Sequence, residues 1–153
     1  MTYDPTQYGW MINFADLNDE LIIKKGDDYL NTHPSPDNCF YALTAAKFIS
    51  LVNSFNIDVS VLNALSRVPG ATNPPHYLVI QWLVNCLQML VCQSNIGLND
   101  VRDGITYDVY YVKFKMYSNE LVSVQSQIKY ETIVTGVMQQ NQTRAGNTFR
   151  IMY

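Results

Sequence analysis

A chain of 153 residues that is 48% hydrophobic and only 15% charged is long enough for one domain with a real core, and it excludes an intrinsically disordered chain. A formal net charge of -3 and a pI near 5.1 exclude a broad basic surface that grips nucleic acid, though not a protein that stands beside nucleic acid without gripping it.

The opening, Met1-Thr2-Tyr3-Asp4-Pro5, has neither the basic region nor the apolar run of a secretory signal, so the expectation is a protein made and kept in a cytoplasm. Residues 1–12 carry Tyr3, Tyr8 and Trp10 without a sustained period and read as an N-terminal arm. Its rings bury themselves on their own domain or on a neighbour. A helical domain is expected to follow over 13–138.

Asn13-Phe14-Ala15-Asp16 offers an Asn cap with an acid three residues later, and Lys24-Lys25-Gly26 offers cations and a left-handed stop. A short helix over about 14–25 is the reading, although Leu21-Ile22-Ile23 would also suit a strand. Asp16, Asp19 and Glu20 then fall on its solvated face. Asp27 through Pro36 reads as a loop because Pro34 and Pro36 exclude a regular helix. Ser35-Pro36-Asp37 supplies a cap, a proline for the first helical position and an acid, which starts a helix over about 36–55. Its inward face is expected to be Cys39, Ala42, Ala46, Ile49 and Val52, with Asp37, Thr44, Lys47 and Ser54 opposite. The small residues Ala42, Ala45 and Ala46 would admit another helix closely. Asp58 caps a further short helix with Val61, Leu62 and Leu65 inward, which ends before Pro69-Gly70.

The most apolar stretch of the chain, Tyr77 to Cys92, is free of charge, and with Pro75 leading into it a central helix over about 75–95 is expected. Its polar side chains Gln81, Asn85 and Gln88 are spaced four and three apart. On a helix they form one narrow seam, suited to a subunit contact or to an internal hydrogen-bonded network. The run is shorter than the roughly 20 residues of a membrane span and is interrupted by three amides, so it reads as buried core rather than as a span.

Asn99 to Gly104 resembles a calcium loop only superficially, because Val101 occupies the third position and no acid stands at the twelfth. From Thr106 to about Glu131 the pattern is strict: Tyr107, Tyr110, Phe114, Tyr117, Leu121, Val124 and Ile128 are spaced alternately three and four. This is a heptad seam on one long helix over about 106–131, about 39 Å at 1.5 Å per residue. It suits packing against the central helix or against a coiled-coil partner. Ile133 to Met138 has strand-like content. Residues 139–153 form a polar tether ending in Phe149-Arg150-Ile151-Met152-Tyr153, whose alternation fits a strand tucked onto the parent domain or docked on a partner's sheet. The docking reading makes Phe149, Ile151 and Tyr153 the pocket fillers and gives Arg144 or Arg150 an acidic partner.

The sequence carries little catalytic chemistry. Cys39, Cys86 and Cys92 lack metal-ligand spacing and read as small core residues in a reducing compartment. His33 and His76 each adjoin a proline, with no carboxylate or cysteine at ligand spacing. No phosphate loop, dinucleotide turn or nucleophile elbow is present, and Asn141-Gln142-Thr143 is a chance glycosylation match in a chain without a secretory signal. No cofactor, no metal and no enzymatic activity are expected.

The order of parts resembles the head-to-tail connector, or adaptor, proteins of tailed bacteriophages. The resembling features are Phe14-Ala15-Asp16-Leu17 opening a short helix, Ser35-Pro36-Asp37-Asn38 before a helix with Ala45-Ala46, and Pro74-Pro75-His76-Tyr77 before the apolar helix. The last are Asp108-Val109-Tyr110-Tyr111-Val112-Lys113 and Met116-Tyr117-Ser118-Asn119-Glu120-Leu121 on a terminal long helix. The similarity covers roughly 13–130, and both the aromatic N-terminal stretch and the polar tail depart from it. What the resemblance implies is an all-α virion protein, assembled in the host cytoplasm into a homo-oligomeric ring, commonly a dodecamer, beneath the portal protein and beside other head-tail ring or tail proteins. DNA would pass through its channel without specific binding, which mild acidity suits, and no membrane is involved. A reading from another class is a cytosolic helical domain that binds a small apolar ligand through Gln81, Asn85 and Gln88.

Overall fold

The computed structural model describes residues 3–4, 6–97 and 109–134. Among them the chain is all-α, with six α-helices, two short 3-10 segments and no strand.

The expected helix over 14–25 divides in two. Asn13 precedes a 3-10 turn over Phe14–Asp16, and the Asp16 carboxylate accepts the Asn13 N–H at 2.7 Å. The turn stops at Leu17, whose backbone is extended. Asp19 then caps α1 (Glu20–Lys25), its carboxylate accepting from the N–H groups of Leu21 and Ile22. Lys24, Lys25 and Gly26 close α1 as their residue types predict. Gly26 adopts φ 92 and ψ 159, a conformation closed to side chains with a Cβ, and α2 (Asp27–Thr32) begins at the next residue. Thus a helix stands where a loop over 27–36 is expected. Asp27 and Asp28 favour its first turn through the helix dipole, and fully buried Leu30 fixes it to the core.

The next helix, α3 (Phe40–Ser54), begins later than Ser35-Pro36-Asp37 predicts. The Ser35 hydroxyl accepts the Asn38 N–H at 3.1 Å, so this serine closes a turn, and the Cys39 thiol faces the Ala42 N–H at the helix start. The buried face is also rotated from the expected one. Phe40, Tyr41, Thr44, Ala45, Phe48 and Val52 are inside, while Ala46 is exposed. The large rings decide the face, because burying Phe40 and Phe48 removes far more apolar surface from water than burying alanines. Thr44 tolerates burial by donating its hydroxyl proton to the Phe40 carbonyl at 2.8 Å.

A 3-10 segment over Val59–Ala64 follows its Asp58 cap and buries Leu62, with Leu65 buried just beyond it. The N-terminal stretch is laced alongside: the Arg67 N–H donates to the Gly9 carbonyl, and a Cβ on Gly9 would lie 2.8 Å from the Leu65 carbonyl oxygen. That stretch packs on its own domain. Trp10, 1% exposed, stacks on Tyr8 and meets Phe48, which in turn meets Trp82 of the central helix. The aromatic run therefore forms part of the core.

The central helix is α4 (Tyr77–Ser94), with the His76 ring nitrogen accepting the Leu78 N–H at 3.0 Å. By length and composition alone it could cross a membrane. In this fold it is the hub, flanked by α3 and by α5 (Val109–Gln127). Trp82 meets Gln125 while Gln88 and Tyr117 share Asp19, so α5 runs antiparallel to α4. The heptad seam is the packed face: Tyr117, Val124 and Ile128 are buried, and Tyr110, Phe114 and Leu121 lie half-buried against the same core. Tyr107 lies outside the described residues. The helix ends before the expected 131, because Lys129 is extended and starts a last turn, α6 (Tyr130–Ile133), which carries Ile133 and Val134 into the core. The start of the expected strand-like stretch over 133–138 is thus helical, and 135–138 lie outside the described residues.

Candidate functional site

The three amides of the α4 seam have different fates. Gln88 is only 1% exposed, and its side-chain oxygen accepts the backbone N–H groups of Asn18 and Asp19, each at 3.2 Å. It cannot touch a neighbouring subunit, and of the two expectations for the seam the internal network is the one that applies to it. Asn85 is half-buried and Gln81 exposed, with Asn85 Nδ2 donating to the Gln81 carbonyl at 2.9 Å. These two border a half-open groove of about 360 Å³ between α4 and α5. Buried Val84 and Val124 and half-buried Ile80 are its apolar lining, and Asp16, Asn18, Tyr117 and Glu120 complete it.

Beside the groove lies a buried junction of three elements. Asp19 Oδ2 accepts from Lys113 Nζ at 2.9 Å and from the Tyr117 hydroxyl, while Oδ1 caps α1. Burial alone would raise the Asp19 pKa, but the bonds from Tyr117 and Lys113 outweigh it and hold the carboxyl below its usual range. The same burial, with the adjacent carboxylate, pushes the Tyr117 hydroxyl up, so it stays a proton donor. Asp16 makes a two-pronged bond to Arg67, both contacts at 2.9 Å, and these bonds likewise overcome burial and lower its pKa. Asp16 and Asp19 are therefore not the solvated acids expected of this stretch. Both hold distant parts of the chain together, and Asp19 is 3% exposed. The sequence signal that could have found Asp19 is local, an acid immediately before Glu20-Leu21-Ile22 in cap position. Its partners Lys113 and Tyr117 share a helix face at i and i+4, but nothing in the sequence links them to a residue more than ninety positions earlier.

All three cysteines are free and buried, as their composition predicts, and burial pushes Cys86 and Cys92 up to about 12, so both are thiols at neutral pH. Burial lowers the His76 pKa and keeps its ring neutral, which its role as a cap acceptor requires. Among the described residues no group of three His, Cys, Asp or Glu side chains is placed to hold a metal ion. Arg144, Phe149, Arg150, Ile151 and Tyr153, the expected docking residues, lie outside the described residues. Comparison of the chain with protein-family models, with curated proteins and with solved structures gives no match.

Proposed function

We propose that the chain is a non-enzymatic structural protein, a head-to-tail connector subunit that assembles as a ring around a DNA channel and docks its C-terminal segment on the portal. The observation that carries this reading is the outward side of α5. Val112, Met116 and Val122 are 41%, 49% and 68% exposed, and at about 100° per residue they fall within about 120° of arc on the side away from the packed seam. A long helix that packs on one principal helix and leaves apolar side chains outward is suited to a neighbouring subunit. The mildly acidic charge suits a channel wall that lets DNA pass. The small-ligand reading loses one of its three contacts, because Gln88 faces the backbone of Asn18 and Asp19 rather than the groove.

Native mass spectrometry of the full chain, alone and mixed with a portal ring, tests the proposal. A large homomeric or portal-containing ring is the expected species, and deletion of residues 140–153 is expected to leave a folded chain that no longer co-purifies with the portal. Unchanged co-purification after that deletion overturns the docking role, and a monomer carrying a small molecule overturns the ring in favour of ligand binding.

A further inference from the structure

The groove between α4 and α5 and the outer face of α3 match each other in spacing and charge. Along α5, Glu120 and Val124 are four residues apart, with Glu120 exposed at the rim and Val124 buried in the wall. Along α3, Lys47 and Leu51 are also four apart, and with Ser50 and Ser54 they form a stripe at i, i+3, i+4 and i+7. This stripe flanks the buried face of α3, with Lys47, Ser50 and Ser54 exposed and Leu51 half-buried against the core, and it borders an open, shallow hollow completed by Trp82, Met89, Leu121 and Gln125.

The two surfaces lie on opposite flanks of the α4–α5 pair. On α4 the groove takes Ile80, Val84 and Asn85, whereas the flank beside the α3 stripe takes Trp82 and Met89, roughly a third of a turn away at 100° per residue. On α5 the same division separates Glu120 and Val124 from Leu121 and Gln125. One copy therefore cannot satisfy its own groove with its own stripe. A second copy can, and complementary patches on opposite flanks give a head-to-tail contact, the kind that closes into a ring when the rotation permits.

We propose that the α4–α5 groove of one copy receives the outer stripe of α3 from the next copy. The Lys47 ammonium pairs with the Glu120 carboxylate, Leu51 covers Val124 and Val84 one turn further on, and the serine hydroxyls meet the Gln81 and Asn85 amides. This is a helix laid in a groove between two helices, with an apolar centre and a polar rim. The contact rests on the ring reading above and gives it a specific interface.

Charge exchange tests it on the full chain. Glu120→Lys and Lys47→Glu each place like charges across the contact and are expected to weaken self-association about tenfold in sedimentation velocity. Both positions are exposed, so far-UV circular dichroism and the melting temperature should not move. Mixing the two single variants places opposite charges at every head-to-tail contact, and the double variant does the same, so both are expected to restore association. A wild-type assembly indifferent to the single changes overturns this interface and leaves the ring standing. An assembly that responds to the exchange but stops at open chains keeps the interface and overturns the ring. A wild-type chain that stays monomeric up to about 1 mM, the affinity of the weakest specific contacts, overturns the proposed contact.

Discussion

Asp19 shows how one side chain can hold a fold together. Its carboxylate ends the α1 backbone ladder, neutralises Lys113 and accepts from Tyr117, while its own N–H is held by Gln88 of the central helix. Replacing it with alanine removes a helix cap, about 1 kcal/mol, and leaves the Tyr117 hydroxyl without an acceptor in a buried site, about 1–3 kcal/mol. Urea unfolding of Asp19→Ala is expected to give a loss of about 2–4 kcal/mol, and Asp19→Asn a smaller one, because asparagine still caps and still accepts. Gln88→Met conserves volume but strands two backbone N–H groups, and a comparable loss of about 2–4 kcal/mol is expected. The acid response follows from the same contacts. Asp16 and Asp19 both have folded pKa values below the ordinary 3.8, so the unfolded chain takes up protons first as the pH falls. Their contribution is complete above about pH 5 and is lost as the pH drops through the unfolded value toward the folded ones. Melting temperature against pH should therefore fall less steeply below about pH 5 in Asp19→Asn than in the wild type; equal slopes would mean that Asp19 is not held in its charged form.

Single helices show where sequence reasoning reached and where it stopped. The α5 seam is legible because residues at alternating three and four spacings mark one continuous stripe, and from Tyr110 to Ile128 that stripe is the face packed on the core. On α3, spacing alone cannot rank Ala42 and Ala46 against Phe40 and Phe48, whereas the energy of burial can. The Gln81, Asn85 and Gln88 seam was legible as a stripe, but a stripe has two ends. One end reaches the groove while the other meets the backbone of a loop seventy residues earlier. The α2 helix was hidden by its two prolines, which lie beyond its end and not within it. Its start depends on Gly26, whose φ and ψ suit no side chain with a Cβ. A Cβ there would meet nothing within 4 Å, so Gly26→Ala isolates the backbone effect. It is expected to cost about 1–3 kcal/mol in urea unfolding. A negligible cost would mean that the α1–α2 junction relaxes freely.

At the scale of the whole molecule, the two ends of the chain carry opposite expectations. The N-terminal stretch reads from sequence as an arm because it lacks a period, yet a period is a property of regular structure and burial does not require one. Trp10, Met11 and Ile12 are all buried, and the rings of Trp10, Phe48 and Trp82 run in sequence from that stretch through α3 to α4. Deleting residues 1–12 removes this aromatic anchor as well as the Gly9 carbonyl that receives Arg67. Truncating one large buried aromatic costs about 3–5 kcal/mol, against a total stability of about 5–15 kcal/mol for a domain. The truncated chain should therefore show a broad, low melt or none at all in near-ultraviolet circular dichroism, where the tryptophan packing is read. At the other end Ile133 and Val134 lie buried beside α4, and under the docking proposal residues 140–153 engage the portal, so the chain lacking them is expected to keep its core. That chain should melt within a few degrees of the full protein. If the N-terminal deletion instead melts like the full chain, Trp10 contributes little and the stretch is separable from the domain.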